Sequence, residues 1–221
     1  MQKKRRVLVL IDGYNMYHGI SDVCFRAAQN ANHLKWVDLR RLMLGFTSKP
    51  HHILVDVIYF TAYADWQPDA LARHKIYVRA LVNSGVKIVL GRFKKKSKKC
   101  KQCSTRTFSY EEKETDVNIA VEMIDAAHKN LFDDLYIVSG DTDLVSTIQR
   151  IKTDFPEKRI KVFAPPLRGN YEMRRVGHRF REIEPRHLAD ALFPARIETK
   201  SGSDIIRPPD YAPPDNRNIS I

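Results

Sequence analysis

Residues 135–143, with the sequence LYIVSGDTD, run from a continuous apolar segment directly into two aspartates that are separated by one threonine. A strand that is apolar at every position is typical of a parallel sheet covered on both faces. Gly140 allows a sharp turn where the chain leaves the sheet, and apolar residues at helical spacing predict a helix over 142–154. The stretch therefore predicts a buried strand whose carboxyl end carries the acidic side chains of Asp141 and Asp143.

The same alternation of strand and helix recurs along the chain. Short runs rich in β-branched residues predict strands near 6–12, 53–61, 86–91, 134–139 and 159–164, with a weaker sixth near 179–183. Helical periodicity predicts helices near 14–29, 36–46, 68–84, 115–130 and 142–154. Since parallel neighbours need helical crossovers, the alternation predicts the α/β class, with a central, mainly parallel, twisted sheet covered by helices on both faces.

Two segments follow neither period. In the segment 92–113, seven of the ten residues from Arg92 to Lys101 are lysine or arginine, which predicts a solvated loop or small excursion. From residue 195 the chain lacks an apolar period and contains RPPD and APPD, where proline removes backbone donors. We therefore expect one domain over 1–194 with a basic, cysteine-containing insertion at about 92–113, followed by a proline-rich, flexible tail over 195–221.

Composition limits the class of protein. The chain has 221 residues, of which 43% are hydrophobic and 29% charged, as in soluble globular proteins, and its net charge of +12 favours an anionic partner such as nucleic acid, an acidic protein or an anionic membrane surface. No run approaches the roughly 18 apolar residues of a membrane-spanning helix. The run VLVLI is too short for a signal peptide, and three cysteines do not make a disulfide framework. A cytoplasmic protein with reduced thiols is expected.

Acidic residues occupy the positions where an open parallel sheet binds its ligands, outside the carboxyl ends of the strands. Asp12 ends the first strand, Asp141 and Asp143 follow the fourth, and Asp116 opens a helix. Each of them, taken singly, could be only a helix cap or a surface residue. Clustered carboxylates repel one another unless a cation lies between them, and carboxylate oxygens suit Mg²⁺ or Mn²⁺. Such a site predicts phosphodiester hydrolysis by an activated water.

Three motifs in this order resemble the NYN domain of the PIN-like nuclease superfamily, and in particular its LabA-like branch. They are VLIDGYNMY at 9–17, KETDVNIAVEMI at 113–124 and YIVSGDTDLVSTIQ at 136–149, and the resemblance covers roughly residues 5 to 165. It implies a PIN-like α/β/α sandwich in which the first and fourth strands lie side by side. KETD departs from the Lys-Gly-x-Asp type sequence of the family, and we interpret Glu114 as a first-turn acid.

The resemblance also implies roles for individual residues. Asp12, Asp116, Asp141 and Asp143 would form the metal pocket of a Mg²⁺- or Mn²⁺-dependent ribonuclease, in which Asn15 and Ser139 orient ligands or the attacking water. The function predicted first is therefore metal-dependent endoribonuclease activity on RNA. Two alternatives stay open: a catalytically silent RNA-binding or regulatory module, and a metal-dependent phosphatase or nucleotide-processing enzyme.

Basic residues near this acidic pocket predict an RNA path, because lysine and arginine gain free energy from phosphates by counterion release. The residues expected to bind nucleic acid are Lys94, Lys95, Lys96, Lys98, Lys99, Arg168, Arg174 and Arg175. A solvated basic loop is the alternative. Cys100 and Cys103 have the spacing of half a zinc site, which needs four ligands. Zn²⁺ shared between two chains of a homodimer would complete that site.

Overall fold

Six parallel strands form a central sheet in the order β3-β2-β1-β6-β7-β8. The computed structural model describes residues 3–26, 31–48, 50–99, 106–199 and 202–214. The strands of this sheet are β1 (Arg5–Asp12), β2 (His52–Thr61), β3 (Lys87–Leu90), β6 (Asp134–Val138), β7 (Arg159–Ala164) and β8 (Arg179–Glu182). The predicted first and fourth strands, β1 and β6, are hydrogen-bonded neighbours. The α/β class and the mainly parallel sheet are thus confirmed.

Helices cover both faces of the sheet. They are α1 (Gly13–Arg26), α2 (Leu39–Gly45), α3 (Pro68–Asn83), α4 (Thr115–His128), α5 (Val145–Asp154), α6 (Tyr171–Val176) and α7 (Pro185–Ala189). Alternate residues of β1 face opposite sides: Val9 joins a core shared with α1, α2, α3 and α7, whereas Leu10 joins one shared with α4, α5 and α6. These layers make the α/β/α sandwich, and they explain why the central strands read as unbroken apolar runs.

The segment 92–113 was predicted to be a solvated loop or small excursion, and it is an excursion from the central sheet but has regular strands where a loop was the first expectation. Strands β4 (Arg92–Lys99) and β5 (Arg106–Lys113) pair antiparallel as a hairpin. A hairpin that projects into solvent needs no apolar run, and its ion pairs, such as Lys96 with Glu111, replace the apolar signal. The hairpin leaves the sheet directly after β3 and returns directly before α4, so it stands at the carboxyl edge of the sheet.

Part of the segment 195–221 packs against the domain, which differs from the predicted flexible tail. Strands β9 (Arg196–Ile197) and β10 (Ile205–Ile206) form a small antiparallel pair, and Ile197 and Ile205 are buried in the core. Arg79 of α3 donates a hydrogen bond to the Ser203 hydroxyl at 3.1 Å, and Tyr211 packs against the same core. These contacts attach the segment although it lacks an apolar period. Residues 215–221 lie outside the described part of the chain.

Candidate functional site

Three aspartates meet at the carboxyl edge of the sheet. Asp12 ends β1, Asp116 lies in the first turn of α4, and Asp141 follows β6. One carboxylate oxygen from each lies within 4.8 Å of the others. The adjacent parallel pairing of β1 and β6 brings Asp12 and Asp141 to the same edge. An all-oxygen donor set of this kind fits a hard divalent cation such as Mg²⁺ or Mn²⁺.

Asp12 is the most buried member of this cluster, with 4% of its surface exposed. Its Oδ1 accepts a hydrogen bond from the backbone amide of Asn15 at 2.9 Å, and its Oδ2 accepts one from the Ser139 hydroxyl at 2.8 Å. Burial raises the pKa of Asp12 to about 6, and the charges of Asp116 and Asp141 act in the same direction, against these two hydrogen bonds. Without a cation the carboxylate is therefore held in an unfavourable environment.

Ser139 and Asn15 connect the two turns that carry Asp12 and Asp141. The hydroxyl oxygen of Ser139 accepts a hydrogen bond from the amide of Asp141 at 3.0 Å, and Asn15 Oδ1 accepts one from the amide of Gly140 at 3.1 Å. The turn is fixed from its other side by Asn170, whose Nδ2 donates to the carbonyl of Gly140 at 2.5 Å. Ser139 and Asn15 thus fix the positions of the acids. Asn170 contributes to the same turn and was not predicted from the sequence.

Asp141 and Asp143 occupy different positions in the site. Asp141 Oδ1 accepts a hydrogen bond from the amide of Asp143 at 2.9 Å, so it caps the short 3-10 helix at 142–144 that precedes α5 and also belongs to the cluster. Asp143 is exposed and is not one of the three clustered carboxylates. Its charge nevertheless helps to raise the pKa of Asp116, as a smaller cause than burial and the charge of Asp141. Capping and clustering are compatible at Asp141.

Glu112, near the end of β5, is a further carboxyl that sequence reasoning missed. Its Oε1 accepts a hydrogen bond from the Thr115 hydroxyl at 2.6 Å. Burial, and after it the charges of Asp12 and Asp116, raise the pKa of Glu112 to about 7 despite that hydrogen bond. A group with such a pKa can hold or release a proton at neutral pH. The signal was present as the period-two series Phe108, Tyr110 and Glu112, which only a strand places on one face.

The predicted nucleic-acid residues of the hairpin lie on β4. Lys94, Lys95 and Lys96 are exposed, Lys95 Nζ lies 4.1 Å from the centre of the Phe108 ring, and Lys96 pairs with Glu111. The backbone of Lys98 and Lys99 continues the strand. The side chains of Lys98 and Lys99, together with Cys100 and Cys103, lie outside the described residues.

The predicted arginines lie beyond β7, on the loop before α6 and on α6 itself. Arg168 pairs with Asp22 of α1 at 2.6 Å, and its backbone carbonyl faces Gly140. Arg174 and Arg175 are exposed and rest over the rings of Phe180 and Tyr171, at 4.5 and 5.2 Å from the ring centres. The residues predicted to bind nucleic acid therefore belong to two parts of the described chain, the hairpin and the region of α6.

Replacing Ser139 with alanine is expected to weaken binding of Mn²⁺ by about 10- to 100-fold, the usual effect of removing a group that orients a metal ligand. The variant leaves Asp12 Oδ2 and the amide of Asp141 without their shared partner. Isothermal titration with MnCl₂ measures the effect. Ser146→Ala, an exposed serine on α5, is the matched control, and equal affinities of the two variants would contradict the orienting role.

Within the described part of the chain, no helix combines the length and the apolar character that crossing a membrane requires.

Comparison with known proteins supports the fold. A solved protein of unknown function, VPA0982 from Vibrio parahaemolyticus RIMD 2210633, matches with 20% sequence identity over 87% of this chain and 100% of that chain, with a TM-score of 0.53. A putative pilus assembly-related protein from Burkholderia pseudomallei K96243 matches with 16% identity over 61% of this chain and 84% of that chain. Its TM-score of 0.26 is too low to add to the assignment. No curated protein matches the chain.

The family assignment rests on the match to a family model. The model of the NYN domain matches residues 6–184, a range that contains the central sheet from the second residue of β1 to β8 and all three clustered aspartates. NYN domains are nuclease-like and belong to the PIN-like superfamily. With its parallel sheet and its acidic cluster at the carboxyl edge, this chain belongs to the NYN domain family.

Proposed function

We propose that this protein is a metal-dependent endoribonuclease that hydrolyses RNA phosphodiester bonds, with Mg²⁺ or Mn²⁺ held by its aspartates. The observation that carries the proposal is the cluster of Asp12, Asp116 and Asp141, whose carboxylate oxygens lie within 4.8 Å of one another in an NYN domain. Three carboxylates brought this close without a compensating cation oppose one another's ionisation. The same arrangement is favourable once a divalent cation is bound.

The residues of the site divide into ligands and groups that position them. Asp12, Asp116 and Asp141 would hold the cation, and Asp143, exposed beside them, would serve it directly or through water. The chemistry that these carboxylates would supply by holding a divalent cation is polarisation of the scissile phosphate and a lower pKa of the attacking water. Ser139 and Asn15 fix the two turns by the hydrogen bonds described above.

Glu112 would serve the reaction through its proton. Its carboxyl is bonded to Thr115 beside the cluster, and burial brings its pKa to about 7. Near neutral pH it can therefore accept a proton from water or return one to a leaving oxygen.

RNA is the proposed substrate, in single-stranded or structured form. The basic residues of the hairpin, Lys94 to Lys96, and those around α6, Arg168, Arg174 and Arg175, would contact phosphates. We further propose that the protein belongs to the LabA-like branch of the family. We also place it in the cytoplasm, where the thiol of Cys24 would stay reduced. Zinc at Cys100 and Cys103, shared between two chains of a homodimer, stays a prediction.

Incubation with fluorescently labelled RNA tests the proposal. The wild-type protein is expected to cleave a single-stranded or hairpin RNA with Mg²⁺ or Mn²⁺ and to stop when EDTA is added, whereas Asp141→Asn should retain less than about 1% of the rate. The matched control is Asp154→Asn, at the far end of α5, where the aspartate pairs with Arg150.

Three outcomes separate the proposal from its alternatives. Metal-dependent cleavage that Asp141→Asn abolishes and Asp154→Asn preserves supports the nuclease. RNA binding without cleavage above the Asp141→Asn background would indicate a catalytically silent RNA-binding module. Hydrolysis confined to mononucleotides would indicate a phosphatase or nucleotide-processing enzyme.

A further inference from the structure

A cavity of about 290 Å³ opens beside the acidic cluster. Its size is near the lower end of the range of about 300–1,000 Å³ found for small-ligand sites, which suits one flat ring system and excludes a folded polymer. Aromatic side chains supply much of its wall: Tyr14, Tyr17, Trp66, Phe93, Tyr110 and Tyr211. They come from α1, the β2–α3 loop, both strands of the hairpin and the C-terminal segment.

The aromatic rings of this cavity are arranged as planar walls. Trp66 and Tyr110 are stacked, with ring centres 3.6 Å apart and planes 6° from parallel, and Phe93 meets Trp66 edge to face at 4.8 Å. Tyr14 and Tyr17 are about half exposed, at 48% and 49%. A core built only for stability would bury such rings and would close the space between them. Tyr14 and Tyr17 instead keep exposed ring surface. Trp66 and Tyr110, stacked on each other, are only partly buried and each leave one ring face for a planar ligand.

Two lining residues connect the cavity to the acidic site, although the three aspartates themselves do not line it. Gly13, which directly follows Asp12, lines it, and so does Glu112, whose carboxyl feels the charges of Asp12 and Asp116. Glu112 and Tyr110 lie on the same face of β5, two residues apart, so one strand links the acids to the aromatic wall. A ligand in the cavity would therefore adjoin whatever the acids bind.

Polar groups in the cavity complement an anionic ligand with a hydrogen-bonding ring. Lys35 and Arg73 lie in its lining, Lys35 with its Nζ 4.7 Å from the centre of the Tyr17 ring. Arg73 pairs with the exposed Asp210 at 3.5 Å, a long contact that a phosphate could replace. His74 lies 3.2 Å from the Thr61 hydroxyl, and burial lowers its pKa to about 4. At neutral pH its ring is uncharged, and because Nε2 is engaged by Thr61, Nδ1 is the ring nitrogen left to meet a polar edge of a ligand.

We propose that this cavity is a nucleobase site, which takes one unstacked base of the RNA strand whose phosphate lies at the aspartates. The proposal rests on the proposed function and specifies it, because the cavity would set which nucleotide adjoins the cleaved bond. Proteins recognise single-stranded RNA by stacking splayed bases on aromatic side chains, and each stacked base contributes about 1–3 kcal/mol. The aromatic wall, the two cations and the adjoining acids match that chemistry, whereas a purely apolar ligand would leave the polar groups unused.

Binding of short RNA tests the proposed nucleobase site directly. An eight-nucleotide single-stranded RNA, and eight copies that each carry one abasic position, are titrated into Asp141→Asn protein with Mg²⁺ while tryptophan fluorescence is recorded. The chain has two tryptophans, and Trp36 is fully buried, so Trp66 is the one that a ligand can reach. We expect the intact RNA to quench fluorescence, and one abasic position to weaken binding by about 5- to 150-fold.

Variants localise the effect. Trp66→Leu keeps an apolar side chain in the wall but removes the reporting tryptophan, so its binding, and that of the parent protein, is measured by the fluorescence anisotropy of dye-labelled RNA. We expect it to weaken RNA binding by a similar factor and to abolish the difference between intact and abasic RNA. If Trp66→Leu unfolds at a lower temperature than the wild type, Tyr110→Leu is used as the test variant instead. Phe25→Leu, an aromatic residue that is 90% exposed and lies outside the cavity, should bind as the unsubstituted protein does.

Failure of this inference differs from failure of the nuclease proposal. Equal affinity for all the abasic RNAs, together with unchanged binding by Trp66→Leu, would overturn the nucleobase site even if the wild-type protein cleaves RNA. Quenching by free nucleosides that RNA cannot displace would overturn it as well, since the ligand would then be a small molecule. Position-dependent binding without any cleavage by the wild type would support the base site and reject the nuclease.

Discussion

Replacing Asp12 with asparagine is expected to lower RNA cleavage at least 100-fold and, in the absence of metal, to make the protein more stable. Loss of a group that merely orients a metal ligand costs 10- to 100-fold, so loss of the most buried ligand should cost no less. The gain in stability arises because Asp12 is 4% exposed and shares its space with two other carboxylates. Asparagine removes the charge and keeps Oδ1 to accept the bond from the Asn15 amide, and its Nδ2 can donate to the Ser139 hydroxyl oxygen in place of the bond that Oδ2 accepted.

The sign and the pH range of this stability effect follow from the pKa of Asp12. Burial raises that pKa from 3.8 to about 6, so the folded protein holds the proton more tightly than the unfolded chain does. The favourable contribution of the protonated Asp12 carboxyl to the free energy of unfolding is present below pH 4 and is lost as the pH rises through 6. At pH 7.5 the metal-free wild type should therefore carry a penalty of about 3 kcal/mol that Asp12→Asn lacks.

Thermal unfolding in EDTA at pH 5 and pH 7.5 measures the effect. The excess stability of Asp12→Asn should be larger at pH 7.5, and Mn²⁺ at 100 times its dissociation constant should stabilise the wild type by about 2.7 kcal/mol but not the variant. Asp133→Asn is a control of opposite sign, because a hydrogen bond from Arg6 lowers the pKa of Asp133 to about 2. An Asp12→Asn protein that is less stable than wild type in EDTA at pH 7.5 would contradict this interpretation.

Replacing Gly140 with alanine is expected to destabilise the protein by about 1–3 kcal/mol and to reduce metal affinity and cleavage at least 10-fold. A Cβ atom at this position would lie 2.2 Å from the backbone carbonyl oxygen of Arg168, and backbone cannot move away as a flexible side chain can. The turn would shift, and with it the hydrogen bonds that join Gly140 to Asn15 and Asn170. Asp141 is the next residue and would move with the turn.

Gly45→Ala provides the matched control for this substitution. A Cβ atom at Gly45, the last residue of α2, meets nothing within 4 Å. Alanine has the higher helix propensity, so this variant should be as stable as wild type or more stable by up to about 1 kcal/mol. Denaturation in urea and titration with MnCl₂ compare the two. Wild-type stability and wild-type Mn²⁺ affinity in Gly140→Ala would show that the turn tolerates displacement.

The sheet and part of the site were predictable because their signals are local. β1 and β6 are buried on both faces, so their apolar runs identify them without tertiary information. Parallel strands end at a common edge, and the acids that follow β1 and β6 must then lie near each other. The structure brings Asp12, Asp116 and Asp141 together and leaves Asp143 outside that group.

The remaining features depend on tertiary structure. The hairpin is solvent-exposed, so lysine takes positions that an apolar residue would hold in a buried strand, and the pattern typical of a strand is lost. Glu112 reaches the acids only because the hairpin folds back to α4. The aromatic cavity draws Tyr14, Trp66 and Tyr110 from separate parts of the chain, and no spacing in the sequence relates them.

Diffraction from crystals soaked in MnCl₂ tests most directly the proposal that the aspartates form a metal centre. The expected result is an anomalous peak among Asp12, Asp116 and Asp141, with Asp143 at its edge, and loss of this peak in crystals of Asp12→Asn. A wild-type crystal at saturating Mn²⁺ with no peak between these carboxylates would contradict the metal centre and, with it, the proposed mechanism of RNA cleavage.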